Sequence, residues 1–491
     1  MDCLRDKANF FFKKGKYQDA IDYYTQAIDL EPITDTNTPQ VAICYANRSF
    51  AACKLEQYGQ ALQDAAKAIY LNPTYIKAYY RRAAALMALN KYKAALEDFK
   101  RVATLEEESG SKDKFIQTKI KECEKLIHRQ AFERAISVEA KKEKPLAFTI
   151  ECDSIAVEQN YKGARLENHK KVTKEFVSQL YEDFKKSEVL HRRYVLEILC
   201  QSFKFFSKQP SLVNIEIHND QKFTVVGDVH GQFFDLVEIF KQNGWPSEQN
   251  PYLFNGDVVD RGSFSIECIL LLLSLKLLYP EHLYISRGNH ETHTMNQMYG
   301  FEGECKHKYS SQVYEFFAQV FQVLPLAHCL MGMDGSDLAA KVLVMHGGLF
   351  SQEGVKLDDI RKIDRNRQPP SEGLMCEILW SDPMPYSGKV VSKRGIAIAF
   401  GPDITEEFCE NNQLDYIIRS HEVKHEGYEV AHNGKCITVF SAPNYCDTMG
   451  NYGAIVVLSG PSLKPSFRQF SAVNHPEVKP MAYANHLLNM L

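Results

Sequence analysis

The chain has 491 residues, which is too long for one compact domain, so two or three domains are expected. Its hydrophobic fraction of 45% is that of a globular protein, and its formal net charge of -4 argues against nucleic-acid binding. The most apolar run, Cys268 to Tyr279, is too short to span a bilayer, and the N-terminus lacks the apolar core of a signal peptide. The 13 cysteines show no framework spacing, which favours reduced thiols in the cytoplasm or nucleus.

A repeated helical pattern occupies the first part of the chain. Each copy begins with a tyrosine followed by small and apolar residues at helical spacing, at Tyr17, Tyr58 and Tyr92. The second interval is 34 residues and the first is 41, because the first contains a breaker-rich loop insertion at Ile33–Pro39. The pattern resembles three tetratricopeptide repeats over about residues 1–108, a repeat that stacks pairs of helices around a concave groove.

The groove of this array is expected to bind an acidic peptide. In a subset of tetratricopeptide domains, the equivalent positions form a clamp for the C-terminal Met-Glu-Glu-Val-Asp tail of heat-shock protein 90 chaperones. Two amides and three cations suit a terminal carboxylate and acidic side chains, whereas an ordinary solvated basic face is the alternative. The first position is usually Lys and is Arg here, which keeps the charge but changes the geometry. The clamp residues are Arg5, Asn9, Asn47, Lys77 and Arg81.

Helical spacing fades after Glu139, and the charged run Lys141–Pro145 ends in a helix breaker. Helical spacing returns from Val172 to Phe206, where it predicts two core helices. The expected organisation is therefore a repeat domain with a capping helix at residues 1–137, a linker at 138–168 and a second domain at 169–491.

From residue 221 onward, six short apolar runs each read as a strand that ends in a loop of polar side chains. The second loop, Gly256–Gly262, carries two aspartates and an arginine after the short apolar run Tyr252–Phe254, which reads as a buried strand. Ligand sites of α/β proteins gather at such strand ends, and these residue types suit metal and phosphate binding. In chain order the loops read GDVHG, GDVVDRG, GNHE, HGG, RSHE and SAPNYC.

Together these loops resemble the metal-dependent serine/threonine phosphatases of the phosphoprotein phosphatase family. The resemblance implies an all-α tetratricopeptide-repeat domain followed by an α/β metallophosphoesterase domain, a central β-sandwich flanked by helices. It also implies hydrolysis of phosphoserine and phosphothreonine in phosphoprotein substrates, by direct attack of a hydroxide that bridges two metals. The metals would be two divalent ions, with Mn²⁺ and Fe as first candidates and Mg²⁺ or Zn²⁺ as alternatives.

The resemblance also implies a role for each loop residue. The metal ligands would be Asp228, His230, Asp257, Asn289, His346 and His421. His290 would protonate the leaving alkoxide, and Asp260 would hold its tautomer and charge. The phosphate would be bound by Arg261, Asn289, His290 and Arg394, with Arg419 as either a further phosphate ligand or a support of the loops. Tyr445 and Tyr299 would line the substrate groove.

Regulation is a further expectation from the resemblance. The repeat domain and a C-terminal helix over residues 480–491 would hold the enzyme shut, with Glu56 contacting the catalytic groove. A chaperone tail or an acidic lipid would release it. Two alternatives remain: a chaperone-binding scaffold with a weak or inactive phosphatase domain, and a metallophosphoesterase of nucleotides or other small molecules. Residues 331–340 are expected to form an extended surface turn of unknown purpose.

Overall fold

The computed structural model describes residues 1–30, 34, 38–110, 114–139, 144–166 and 171–484. Most of the predicted loop insertion at Ile33–Pro39, and residues 485–491 of the predicted C-terminal helix, lie outside the described residues. The described part of the chain divides into two compact units, of which the first contains residues 1–139 and the short segment Val391–Ile396. The second contains the remaining described residues.

The first unit is an array of helices in which each helix packs against the next. Tyr17, Tyr58 and Tyr92 are the first residues of α2, α4 and α6, so each predicted repeat opens the second helix of a pair. Alanines at equivalent positions, such as Ala20 and Ala61, are fully buried and let neighbouring helices approach closely. The described helices are α1 (Asp2–Lys13), α2 (Tyr17–Asp29), α3 (Thr38–Lys54), α4 (Tyr58–Leu71), α5 (Ile76–Ala88), α6 (Tyr92–Glu108) and α7 (Lys114–Glu139).

Two ion pairs, each between a half-buried arginine and a buried aspartate, repeat along this array. Arg48 binds Asp64 through two hydrogen bonds of 2.8 and 2.7 Å. Arg82 binds Asp98 in the same way, at 2.8 and 2.6 Å. The partners occupy equivalent positions in the second and third repeats, so the sequence period is also a period of side-chain contacts.

The second unit places helices around two packed sheets. Its described helices are α8 (Lys174–Lys185), α9 (Arg192–Phe206), α10 (Phe233–Asn243), α11 (Ser265–Leu278), α12 (His293–Tyr299), α13 (Phe301–Lys308), α14 (Ser311–Val323), α15 (Leu357–Arg361), α16 (Leu374–Trp380) and α17 (Pro402–Asn412). Its described strands are β1 (Leu212–Ile217), β2 (Lys222–Val226), β3 (Tyr252–Phe254), β4 (Leu283–Ile285), β5 (Ala327–Asp334), β6 (Asp337–Met345), β7 (Asp382–Pro383), β8 (Lys389–Val391), β9 (Ile398–Phe400), β10 (Tyr416–Arg419), β11 (Tyr428–Ala431), β12 (Cys436–Val439), β13 (Gly453–Ser459) and β14 (Lys464–Phe470).

The two main sheets form the predicted sandwich. One has the strand order β1-β5-β6-β10-β12-β11 and the other β14-β13-β2-β3-β4, with a small third sheet in the order β7-β9-β8. A buried apolar cluster takes Val225 and Leu253 from one main sheet and Val344 and Ile418 from the other, so it fills the space between them. Strands β2, β3 and β4 are parallel, as are β6, β10 and β12, and these six precede the six polar loops.

Two further features complete the second unit. Residues 331–340 form the outer part of the antiparallel β5–β6 hairpin, with a bulge at Gly332/Met333, rather than an extended turn. The turn itself contains only Gly335 and Ser336, and the positive φ of +62° at Gly335 suits glycine. In the segment before α8, Ala147, Cys152 and Ala164 join the helical core. None of the described helices is long and apolar enough to cross a membrane.

Candidate active site

The polar loops hold their side chains on a strained backbone. His230, Asp257, Asp260, Arg261 and His421 all have positive φ, between 47° and 72°, a region that non-glycine residues rarely adopt. Hydrogen bonds between loops hold this conformation: the backbone N–H of His230 donates to Asp257 O at 2.9 Å, and that of Gly262 donates to His230 O at 2.8 Å. Strain of this kind persists only where the surrounding structure imposes it, and it is typical of functional sites.

Five of the six predicted metal ligands converge around the sixth, Asp257. Among the described residues, Asp257 belongs to two groups whose ligand atoms all lie within 4.8 Å of one another: one with His230 and His290, the other with His346 and His421. Asp228 Oδ2 lies 3.6 Å from His230 Nε2, and Asp228 Oδ1 accepts the backbone N–H of His421 at 3.1 Å. All of these residues are buried. The six side chains therefore form one continuous cluster.

The hydrogen bonds orient the ligand atoms toward the centre of this cluster. His346 Nδ1 faces the carbonyl oxygen of Asn255 at 2.9 Å, and His230 Nδ1 faces that of Val259 at 3.1 Å. Because a carbonyl oxygen can only accept, each Nδ1 carries the proton and each Nε2 presents its lone pair inward. His346 Nε2 accordingly lies 3.2 Å from Asp257 Oδ2.

The amide of Asn289 adds another inward-facing oxygen. When the amide is oriented with its oxygen inward, as a metal ligand requires, that oxygen lies 2.8 Å from His346 Nε2, 3.0 Å from His421 Nδ1 and 3.0 Å from Asp257 Oδ2. Lone pairs that face one another at such distances repel unless positive charge lies between them. The donor set of carboxylates, imidazoles and an amide therefore fits divalent metal ions of the Mn²⁺, Fe or Zn²⁺ type.

The charges within the cluster shift the pKa values of its own members. Burial alone would raise the pKa of Asp257, but the imidazoles of His346, His290 and His230 hold that pKa below its ordinary value. Burial would lower the pKa of His346, but the Asp257 carboxylate raises it. Both shifts favour a cation beside an ionised Asp257.

His290 and Asp260 form a buried pair beside the cluster. His290 Nδ1 donates to Asp260 Oδ2 at 2.9 Å, and the carboxylate also accepts from Asn296 Nδ2 at 3.0 Å and from the backbone N–H of Phe301 at 2.9 Å. The backbone N–H of His290 donates to Asp257 Oδ1 at 2.8 Å, which fixes the imidazole next to the metal ligands. This pair has the geometry of a general acid oriented by a carboxylate, as the sequence predicts.

Two residues to which the sequence analysis gave no role hold the loops together. The Glu291 carboxylate accepts backbone N–H groups of Asp257, Val258 and Gly288, at 2.8, 2.9 and 2.8 Å. Asn255 Nδ2 donates to Met345 O at 2.7 Å and to the Ser420 hydroxyl at 2.9 Å, so it links the ends of β3, β6 and β10. Glu291 is the last residue of the GNHE loop, and Asn255 directly precedes the loop that begins at Gly256. These sequence positions were the only signal that could have pointed to them.

The predicted phosphate and groove residues differ in their surroundings. The Arg261 guanidinium lies 3.8 Å from the ring centroid of Tyr299, which is only 2% exposed and supports Arg261 from one side. Arg419 is fully buried and donates to Gly347 O, Ser381 O, Glu422 and Asp382. Of the two roles considered for Arg419, this favours support of the loops.

Tyr445 lies in the loop after β12. Its ring centroid is 5.1 Å from that of His230 and 5.2 Å from that of Phe440. The loop has three more residues with positive φ, Asn444, Cys446 and Asp447. Tyr445 therefore stands at the edge of the cluster of candidate metal ligands, where the sequence predicts a substrate contact.

The remaining predicted site residues belong to the first unit. Asn9 Oδ1 accepts the Tyr24 hydroxyl at 2.6 Å and lies 3.4 Å from Asn47 Nδ2, and Arg81 Nη1 donates to Asn47 Oδ1 at 3.0 Å. Lys77 is exposed, and Arg5 pairs with Asp2 at 3.0 Å. Four of the clamp residues are half-buried on α1, α3 and α5.

Arg394, in the segment Val391–Ile396, also belongs to the first unit. Its Nη1 lies 3.6 Å from Glu56 Oε2. Beside this ion pair, the backbone N–H of Gln60 donates to Lys393 O at 2.9 Å. Glu56 thus pairs with a residue to which the sequence resemblance assigns phosphate binding.

Comparison with known proteins agrees with the geometry. Residues 221–425 match the family model for calcineurin-like phosphoesterases, residues 120–214 match the PPP5 TPR repeat region, and residues 6–34 and 76–109 match tetratricopeptide repeats. Serine/threonine-protein phosphatase 5 of Homo sapiens is 53% identical over 487 residues, 99% of this chain and 93% of that protein. Serine/threonine-protein phosphatase T of Aspergillus oryzae is 48% identical, over 100% and 98% of the two chains.

Among solved structures, a protein serine/threonine phosphatase from Saccharomyces cerevisiae, described as similar to human phosphatase PP5, superposes with a TM-score of 0.60. It is 43% identical and covers 63% of this chain and 100% of its own.

Proposed function

Because this chain belongs to the serine/threonine-protein phosphatase 5 family, and is therefore a protein-serine/threonine phosphatase, we propose that two metal ions at Asp257 and the His290–Asp260 pair carry its reaction. The observation that carries this proposal is the convergence of buried lone pairs around Asp257, directly beside a histidine held by a carboxylate. Phosphoserine and phosphothreonine in proteins are the proposed substrates, and hydrolysis would proceed without a phosphoenzyme.

The ligand cluster supplies the reason for metal dependence. Asp228, His230, Asp257, Asn289, His346 and His421 would hold two divalent ions. When bound, such ions stabilise negative charge on phosphoryl oxygens and lower the pKa of water. Glu291 and Asn255 fix the loops that carry these ligands, so the ligands need little reorganisation before they bind.

The leaving group would receive its proton from His290. Asp260 holds the proton on Nδ1, so Nε2 is the atom that faces a substrate oxygen and transfers a proton to it. Arg261 would bind phosphoryl oxygens, with its guanidinium plane kept in place by the ring of Tyr299. Positive charge fixed before the reaction acts directly on the transition state.

The groove of the repeat array would bind an acidic C-terminal peptide of the heat-shock protein 90 type. Arg81 supports this proposal, because no carboxylate among the described residues forms an ion pair with it, whereas Arg48 and Arg82 each have an aspartate. Burial lowers the pKa of Arg81, so a peptide carboxylate would relieve an electrostatic cost. Acidic lipids are a second proposed ligand class on the same grounds of charge.

We further propose that the repeat array restrains catalysis. The ion pair between Glu56 and Arg394 supports this, since Arg394 cannot bind both Glu56 and a substrate phosphate through the same guanidinium edge. An acidic ligand of the array that stabilises a conformation without this pair would increase the rate.

The test compares the full chain with residues 144–491 on an aryl phosphate in Mn²⁺, with and without a Met-Glu-Glu-Val-Asp peptide. The fragment begins at residue 144 because Ala147, Cys152 and Ala164 pack into the catalytic core. A slow full chain accelerated by the peptide, beside a fast fragment, is the expected result. Equal rates for the two proteins would support the phosphatase activity but contradict its restraint by the repeat array. No hydrolysis by either protein would favour a scaffold with an inactive phosphatase domain.

A further inference from the structure

The segment before α8 brings a cysteine against another on α9. Cys152 lies in a single 3₁₀ turn, Cys152–Ser154, and its Sγ is 4.0 Å from the Sγ of Cys200. A disulfide requires an S–S distance of about 2.05 Å, so the sulfurs need to approach by about 2 Å. Rotation about the Cα–Cβ bonds moves a sulfur atom over such distances. The two positions are 48 residues apart in the chain, which hides the pair from inspection of the sequence.

A neighbouring network holds the segment against the helix. Arg193, near the start of α9, donates to Asp153 at 2.6 Å and to Glu197 at 3.1 Å. Because Asp153 follows Cys152 directly, the contact that fixes Asp153 also fixes Cys152 beside Cys200. The backbone N–H of Leu146 donates to Gln319 at 2.9 Å, which fixes the segment on the other side of Cys152. Contacts on both sides of Cys152 therefore keep its sulfur next to that of Cys200.

Both cysteines are buried but retain some residue exposure. Cys152 is 7% exposed and Cys200 is 9% exposed, the largest exposed fractions among the buried cysteines, whereas Cys268 and Cys305 are fully enclosed. A small oxidant therefore has a shorter path to this pair than to the thiols of the deep core.

We propose that Cys152 and Cys200 form an oxidation site, a dithiol that a peroxide converts to an intramolecular disulfide. One thiol loses its proton, and its sulfur attacks one oxygen of the peroxide; the O–O bond breaks, a sulfenic acid forms, and the leaving hydroxide takes up that proton to give one water. The second thiol attacks that sulfur and displaces its oxygen as another water. Two thiols and one peroxide thus give one disulfide and two waters. The bond joins the segment that follows the repeat helices to α9.

The disulfide would act on the segment and not on the chemistry. The segment has no regular helix or strand of its own beyond short 3₁₀ turns, and besides its buried apolar residues it is held to the core by single hydrogen bonds, such as Ala164 N–H to Asp183 Oδ2 at 2.9 Å. Neither cysteine is among the metal ligands or their hydrogen-bond partners described above. Oxidation should therefore suppress local opening of residues 146–166 and leave the metal cluster unaltered.

The test uses the full chain. The protein is exposed to a few equivalents of hydrogen peroxide, alkylated, digested without reductant and analysed by mass spectrometry. The expected product is a peptide pair linked between Cys152 and Cys200 that dithiothreitol separates. It should be absent from Cys152→Ser and from Cys200→Ser, and present in Cys3→Ser, which removes an exposed thiol. Alkylation of both Cys152 and Cys200 after Cys3 has been oxidised would overturn the proposal.

Hydrogen exchange then tests the consequence. In the oxidised wild type, amides of residues 146–166 should exchange about fivefold more slowly than in the reduced protein, and Cys152→Ser should show no such difference. A Cys152→Ser variant with an unchanged Tm establishes that the substitution itself leaves the fold intact. Equal exchange in linked and reduced wild type would refute the restraint of the segment.

Discussion

The active-site loops and the groove of the repeat array present charged residues in opposite ways. In the loops, Asp257, Asp260 and His421 are buried on left-handed backbone, and each is hydrogen-bonded to another loop. In the groove, Asn9 and Arg81 are half-buried on regular helices with no strain. Chemistry requires fixed atoms, whereas peptide binding requires accessible ones. The two regions should therefore differ sharply in their response to single substitutions.

The largest effect is expected at Asp257, the residue shared by both groups of candidate ligands. Asp257→Asn removes the negative charge that would bind both metal ions, so kcat/KM on an aryl phosphate should fall by on the order of 10³-fold. Elemental analysis should show less than the wild-type content of Mn²⁺. Asp183→Asn is the matched control, since Asp183 is a buried carboxylate on α8 and should leave metal content unchanged. Full metal and full activity in Asp257→Asn would contradict the assignment.

Asp260→Asn should have a smaller effect that depends on the leaving group. The change weakens the hold on His290 Nδ1, so hydrolysis of a phosphoserine peptide should slow by about 10²-fold. An aryl phosphate should be less affected, since phenolate leaves without full protonation. Rates on both substrates, with Tm as the control for folding, measure this difference. The same loss on both would argue against proton transfer by His290.

Arg81 and Arg82 are adjacent on α5, and substituting each in turn distinguishes an effect on peptide binding from an effect on stability. Arg81→Ala should raise the Kd of a Met-Glu-Glu-Val-Asp peptide by about tenfold, because a charged hydrogen bond to a carboxylate of the peptide is lost. Arg82→Ala should lower Tm instead, because it leaves the buried Asp98 without its ion pair, and should change Kd by less than about twofold. Calorimetric titration and thermal unfolding of both variants decide the matter. A wild-type Kd for Arg81→Ala would refute the clamp.

The smallest of these effects is expected at Glu56. Glu56→Ala breaks its contact with Arg394 and should raise the basal rate of the full chain by about threefold, because a single contact of 3.6 Å is too long for a strong hydrogen bond. Glu97→Ala, at an exposed position on α6, controls for the loss of one negative charge. Aryl-phosphate rates without peptide compare the two. An unchanged rate in Glu56→Ala would show that the Glu56–Arg394 contact does not restrain catalysis.

The sequence was most informative about features that depend on residues near one another in the chain. Three tyrosines at repeat spacing revealed the repeat and prove to be the first residues of α2, α4 and α6, and the strand-loop pattern predicted which six loops carry the site. Contacts between distant loops were not accessible in this way. The burial of Tyr299 behind Arg261, the four contacts of Arg419 and the role of Glu291 all depend on how loops far apart in the chain cross one another. The neighbouring sulfurs of Cys152 and Cys200 have the same origin.

The ion pairs Arg48–Asp64 and Arg82–Asp98 have a counterpart of a different kind in the first repeat. The equivalent positions there hold Lys7 and Tyr23, with the Lys7 ammonium 6.0 Å from the ring centroid. An exposed contact of this type is weaker than a buried bidentate ion pair, so cohesion along the array should decrease toward α1. Since α1 carries Arg5 and Asn9, a bound peptide should stabilise α1 more than the other helices of the array. Its signature would be slower amide exchange in α1, in helical residues that make no contact with the peptide.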